Sequence, residues 1–159
     1  MQEEADKMLT IGHLFENTAL IAAAISWLLA QVIKTILTLI QTKTFVSERL
    51  FGSGGMPSAH SACVCALVMS VQHTCGLESP ELAIAVCLAG VVIYDAMGVR
   101  RAAGEQAKVI NRMVDIMEQK EGTDITEKDL KVYLGHTPIE VLGGILLGIL
   151  VSMTLYTFF

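Results

Sequence analysis

Charge is scarce in this chain of 159 residues: Asp, Glu, Lys and Arg together make 17%, against 53% hydrophobic residues. A water-soluble domain of that length needs more polar surface, which excludes a soluble globule. The grouping of the apolar residues gives the alternative. Ala19 to Leu39 carries one charge, Lys34, Ala62 to Val71 is interrupted only by Cys and Ser, and Leu82 to Tyr94 and Val141 to Phe159 carry no charge. Runs near 20 residues match a hydrocarbon core of about 30 Å at 1.5 Å of helix rise per residue.

Other absences narrow the reading further. The first 16 residues are acidic and polar and lack the basic start of a secretory leader. The first apolar run is also long for a leader, so it is expected to stay in the mature protein. The four cysteines (Cys63, Cys65, Cys75, Cys87) show no metal-type spacing and lie in or beside apolar runs, as small hydrophobes do. Asp95, Glu105 and Glu140 likewise lack a metal pattern, so no metal and no cofactor is expected. A net charge of −5 argues against nucleic acid as a partner. No internal repeat is evident.

What is present reads as an all-α, polytopic membrane bundle of about four transmembrane helices. Residues 1–16 form a lead-in, and 17–159 a single transmembrane domain with spans at about 18–40, 58–75, 81–98 and 138–158. Pro57-Ser58 and Thr137-Pro138 are start signals, proline being tolerated in a first helical turn, and Gly76 to Pro80 is a tight turn. The segment 99–135 is the long hydrophilic section. Ala102, Val109, Met113 and Met117 recur at helical spacing within Arg101–Gln119, which predicts an amphipathic helix on the membrane surface. Gly122 closes it, and Thr126 with Asp129 resembles a capping box opening a short helix that ends at Gly135. Gly144 and Gly148 form a small-xxx-small pair suited to close helix approach.

Loop charges give an orientation. Lys43 and Arg49 lie in the first connector, and Arg100, Arg101, Lys108, Arg112, Lys120, Lys128 and Lys131 in the long one. The positive-inside rule puts both connectors in the cytoplasm and both termini outside. Lys34, Ser58, His60, Asp95, Arg100, Arg101, His136, Thr137 and Glu140 then all fall at one membrane face. Two helix N-termini open there, each with unpaired N–H groups and a partial positive charge. With the basic side chains they favour an anion such as phosphate, and two histidines beside it supply a nucleophile and a general acid. Each residue alone has a plainer reading. Lys34 snorkels, Arg100 and Arg101 anchor the topology, Asp95 pairs with an arginine, and His60 bonds a backbone carbonyl. Glu105 pairs with Arg101 one turn earlier. His13 and His73 have no evident partner and read as structural or exposed. The cluster carries the argument, not any single member.

Gly54-Gly55-Met56-Pro57-Ser58-Ala59-His60-Ser61-Ala62 resembles the Pro-Ser-Gly-His signature of the type 2 phosphatidic acid phosphatases and vanadium-dependent haloperoxidases. Tyr94 to Ala107, Leu134 to Val141 and Ala30-Gln31-Val32-Ile33-Lys34 look like further blocks of that superfamily's divergent bacterial and plant branch. The resemblance implies metal-independent hydrolysis of phosphate monoesters, often of lipids, through a phosphohistidine. By it, His136 is the nucleophile with Glu140 as its carboxylate partner, and His60 is the general acid. Lys34, Ser58 and Arg100 or Arg101 bind phosphate, with Asp95, Thr137 and Glu105 supporting. The chain departs from the pattern in four places. Gln41 stands where the family has Arg-Pro after the lysine, and Ala59 replaces glycine. More than thirty residues separate the arginines from His136, and Glu140 replaces aspartate. Four spans are also fewer than the family's usual six, which suggests a homodimer.

The leading expectation is therefore a membrane-bound, lipid-phosphate phosphatase working at the cytoplasmic face of a bacterial plasma membrane. A phosphorylated lipid would reach the pocket with its headgroup while its tails stay in the bilayer. The rivals are a non-catalytic carrier or binding protein for a phosphorylated lipid or other anion, and a small assembly subunit that uses the surface helix as a partner site.

Overall fold

The computed structural model describes residues 11–43, 55–121 and 135–158, with backbone alone at 11–13, 99–101 and 118–121. Thr126, Asp129 and Gly122 lie outside the described residues, and so does the short helix expected there. A 3-10 turn, Ile11–Glu16, leads into α1 (Thr18–Thr42); α2 (Ala59–Cys75), α3 (Pro80–Met97), α4 (Val99–Glu121) and α5 (Pro138–Phe158) follow. No strand occurs among the described residues, and the fold is an all-α membrane helical bundle.

Local chemistry sets the helix ends. Asn17 opens α1, its Oδ1 accepting from Ala19 N–H at 3.0 Å and Leu20 N–H at 3.1 Å. Ser79 caps α3 with Pro80 at the first helical position, where a missing N–H costs nothing. Pro57 behaves otherwise. Ser58 is the cap of α2, so Pro57 stands before the helix rather than in its first turn. Gly76, at φ 85°, turns the chain out of α2 in a conformation that favours glycine.

Among the described residues, three stretches are long and apolar enough to cross a membrane: Thr18–Thr42, the helix beginning at Pro80, and Pro138–Phe158. The fourth expected span, α2, has 17 residues, about 26 Å at the usual rise. It is the centre of the bundle, packed on α1, α5 and α3. No residue from Ala59 to Gln72 is exposed. Since α1, α3 and α5 surround it, serines along α2 carry no lipid-exposure cost.

The packing is inside-out relative to a soluble protein. The interior holds Ala22, Ala30, Ala59, Ala62, Ala66, Ser26, Ser61, Ser70 and Ser152, while large apolar side chains such as Ile84 (69% exposed), Val91 and Leu150 face outward. Without a hydrophobic drive between helices in lipid, close backbone approach and interhelical hydrogen bonds hold such a bundle. Gly144 and Gly148 provide the closest approach. A Cβ on Gly144 would collide with the Ser58 carbonyl, and one on Gly148 with that of Ala62. Towards the far end, Ser70 and Ser152 share a 3.0 Å hydroxyl hydrogen bond. Tyr156 donates to the Ser70 carbonyl at 3.3 Å, and its ring stacks on His73 at 4.7 Å.

Helix α4 carries Val109, Ile110, Met113, Ile116 and Met117 exposed on one side and Lys108, Arg112 and Asp115 on the other. It continues end to end from α3, the backbone ladder running through Gly98. Its observed range, Val99–Glu121, includes the whole of the expected amphipathic segment.

Candidate functional site

Two helices begin side by side. The N–H of Ser58, capping α2, donates to the Glu140 carbonyl in the first turn of α5 at 2.9 Å. The two positive helix ends therefore open at the same face, as an anion site requires. The C-terminal parts of α1 and α3 reach the same face, bringing Lys34 and Ala96.

The entry to α5 is built around Glu140. Thr137 N–H donates to Glu140 Oε2 at 3.0 Å, and Glu140 N–H reaches Thr137 Oγ1 at 3.4 Å. This reciprocal pair is a capping box, encoded by Thr-x-x-Glu. The same Oε2 lies 3.2 Å from His136 Nδ1. A carboxylate only accepts, so Nδ1 carries the proton of this bond, and in a neutral ring Nε2 then keeps the lone pair. His136 is 1% exposed, and its backbone N–H donates to the Ala96 carbonyl at 2.9 Å, tying it to the end of α3.

His60, in the first turn of α2, faces it. The two imidazole centroids are 5.8 Å apart with planes at 64°, an edge contact. One phosphate is small enough to touch both rings, though the rings must part for a phosphoryl group to pass between them. Ser58 is fully buried. Its Oγ accepts from Ser61 N–H at 3.3 Å and from Ser61 Oγ at 3.1 Å.

Lys34 is 2% exposed and donates from Nζ to Gln31 Oε1 at 2.7 Å. Its aliphatic stem runs beneath Gly55, where an added Cβ would stand 3.1 Å from Lys34 Cγ. That glycine has φ 86°, so both space and backbone favour it. The loop that carries the Pro-Ser-x-His block thus rests on the lysine of α1.

The remaining expected residues divide. Arg100 and Arg101 lie in the first turn of α4, next to the α3 end that holds His136, and their side chains lie outside the described ones. Asp95 is half-buried beside Ala96. Glu105 is exposed and pairs with Lys108 at 3.3 Å, a surface pair of little energetic weight. Sequence reasoning gave no role to Gln31 or Gly55. The Gln-x-x-Lys spacing, which puts both side chains on one helical face, was the available signal for the first.

The model of the divergent PAP2 family matches residues 15–151, which takes in Lys34, both histidines and Glu140. A Bacillus subtilis (strain 168) protein, named "Uncharacterized membrane protein YuiD", is 40% identical over 156 residues. The match covers 92% of this chain and 99% of that protein. No solved structure matches the chain. With a family match spanning all but the two ends and a relative similar along nearly its full length, this chain belongs to the divergent PAP2 family.

Proposed function

We propose that this membrane protein is a metal-independent phosphatase for lipid phosphates, acting at the cytoplasmic face. The observation that carries the reading is the His60–His136 pair, with Glu140 on Nδ1 of one imidazole. In this mechanism His136 Nε2 attacks phosphorus, and the bond from phosphorus to the lipid oxygen breaks. His60 gives its proton to that oxygen, releasing the lipid alcohol. Glu140 stabilises the positive imidazole that forms and holds the ring in place. Water, deprotonated by His60, then attacks the phosphohistidine, freeing inorganic phosphate and restoring His136. Lys34, Ser58, Arg100 or Arg101 and the two helix N-termini balance the phosphate charge throughout.

Purified protein in mixed micelles with phosphatidic acid, assayed for phosphate release, tests this. His60→Ala and His136→Ala should each lower turnover by about 10²-fold or more without loss of folding. Absence of phosphate release from every lipid phosphate tried, over a broad pH range, contradicts it. The edge contact of the rings and the deep burial of His136 favour a second reading, a non-catalytic binder of phosphorylated lipid. Saturable lipid-phosphate binding by a wild-type protein that releases no phosphate would select that reading.

A further inference from the structure

Ser61 follows His60 in the first turn of α2, and both it and Ser58 are fully buried. Its backbone N–H donates to Ser58 Oγ at 3.3 Å, the ordinary bond of a capping serine. Its side chain adds a second bond, Ser61 Oγ donating to the same oxygen at 3.1 Å. Helix α5 closes over the pair. A Cβ on Gly144 would collide with the Ser58 carbonyl and stand 2.9 Å from Ser61 Cβ.

The doubled bond has a chemical consequence. A hydroxyl has one proton and two lone pairs. The two donors of Ser61 occupy both lone pairs of Ser58 Oγ, so the Ser58 proton is left the one remaining direction. Among the described residues no group accepts it, and full burial keeps it from bulk solvent. A cap that accepts only a backbone N–H leaves its proton two directions to choose from; Ser61 removes the choice. Ser58 is thereby a committed donor at the positive end of α2, beside His60 and bonded through its own N–H to the first turn of α5. The ionised oxygens of a phosphate only accept, which suits a donor held in this way.

We propose that Ser61 is a positioning residue of the anion site: by filling both acceptor positions of Ser58 Oγ, it commits that hydroxyl to donate to a bound phosphate. The proposal rests on the phosphate reading above. The shared ligand chemistry is a phosphate group, carried by a lipid or free in solution.

The test uses full-length wild type, Ser61→Ala, Ser58→Ala, the double variant and Ser70→Ala in detergent micelles. Inorganic phosphate is one arm, read by calorimetry, and phosphatidic acid in mixed micelles the other, read as KM and kcat or as binding. Ser61→Ala frees one lone pair of Ser58 and should weaken phosphate affinity about threefold to tenfold, with KM rising more than kcat falls. Because Ser61 acts through Ser58, adding Ser61→Ala to Ser58→Ala should change affinity by less than about twofold. Ser70→Ala deletes a comparable buried hydroxyl bond at the far end of the bundle; it should melt earlier by a similar amount and bind phosphate like wild type. A purely structural role predicts instead that Ser61→Ala has its full effect beside Ser58→Ala, and that affinity follows melting temperature in every variant. Wild-type affinity in Ser61→Ala, or an undiminished effect beside Ser58→Ala, overturns the proposal while leaving the phosphate site standing. Where Ser58→Ala fails to fold, a Ser61→Ala affinity no lower than that of Ser70→Ala overturns it equally. A wild type that binds neither inorganic phosphate nor phosphatidic acid removes the phosphate reading and this proposal together. Response to the lipid arm alone assigns the site to a headgroup, and response to both arms to phosphate from either source; both outcomes support the proposal if the variants keep the predicted order.

Discussion

Glu140 offers the sharpest separation of chemistry from folding. A single oxygen, Oε2, accepts from Thr137 N–H at 3.0 Å and lies 3.2 Å from His136 Nδ1. Glu140→Gln can place its amide oxygen at the same point, keeping both hydrogen bonds and removing only the charge. Glu140→Ala removes everything, including half of the capping box. A lost cap contact costs about 1 kcal/mol, which in a chain of this size lowers the melting temperature by about 2–4 °C. The rate effect is larger. Without a carboxylate to stabilise the imidazolium, turnover should fall about 10²-fold in Glu140→Gln, about 2.7 kcal/mol of barrier. Glu140→Ala should fall at least as far and also melt earlier. Ser79→Ala is the control: it deletes the cap on Leu82 N–H at the opposite end of the bundle, with a similar stability loss and unchanged turnover. The assay is phosphate release from phosphatidic acid beside thermal melts of the same samples. Wild-type turnover in Glu140→Gln would refute the reasoning. So would a Ser79→Ala variant that loses turnover in step with Glu140→Ala.

Two further outcomes follow from the packing and the topology. Gly144→Ala puts a methyl group into the Ser58 carbonyl, so it should destabilise by about 1–3 kcal/mol and depress activity, both measurable on detergent-purified protein by melting and assay. In a background without native cysteines, Glu78→Cys, in the turn between α2 and α3, should react with an impermeant thiol reagent added outside intact cells. Lys108→Cys, on exposed α4, should react only after the cells are opened, and the opposite pattern would contradict the proposed orientation.

The outlines of the bundle were legible because lipid exposure leaves a direct mark on composition. Ala19–Leu39 and Val141–Phe159 announce α1 and α5, and Thr137-Pro138 marks the start of α5 through chemistry confined to a few residues. Gly144 and Gly148 were readable for the same reason, since small residues one turn apart have one common use in a membrane helix. Hydropathy misranks α2, however. In a bilayer it reports contact with lipid rather than burial, and α2 is the central, most sheltered helix. Pro57 was placed inside a helix that begins after it, because the cap at Ser58 decides the boundary and either residue is a start signal.

At the site, convergence was legible and contact was not. Helix direction alone brings Lys34, Ser58, His60, His136 and Glu140 to one face. The joints between them are long-range: His136 N–H on the Ala96 carbonyl, Ser58 N–H on the Glu140 carbonyl, Gly55 over Lys34. Backbone-to-backbone bonds between distant segments have no residue-type signature, so nothing in the sequence announces them. Gln31 is an intermediate case, with a readable spacing and a buried hydrogen bond to Lys34 that appears only in the structure.

The central claim is that His136 accepts the phosphoryl group. Rapid quenching of wild type with phosphatidic acid radiolabelled at phosphate, followed by denaturing separation, measures this directly. The account predicts protein-bound label that is stable to base, labile to acid and absent from His136→Ala. An actively hydrolysing wild type with no bound label, or equal label in His136→Ala, would contradict it.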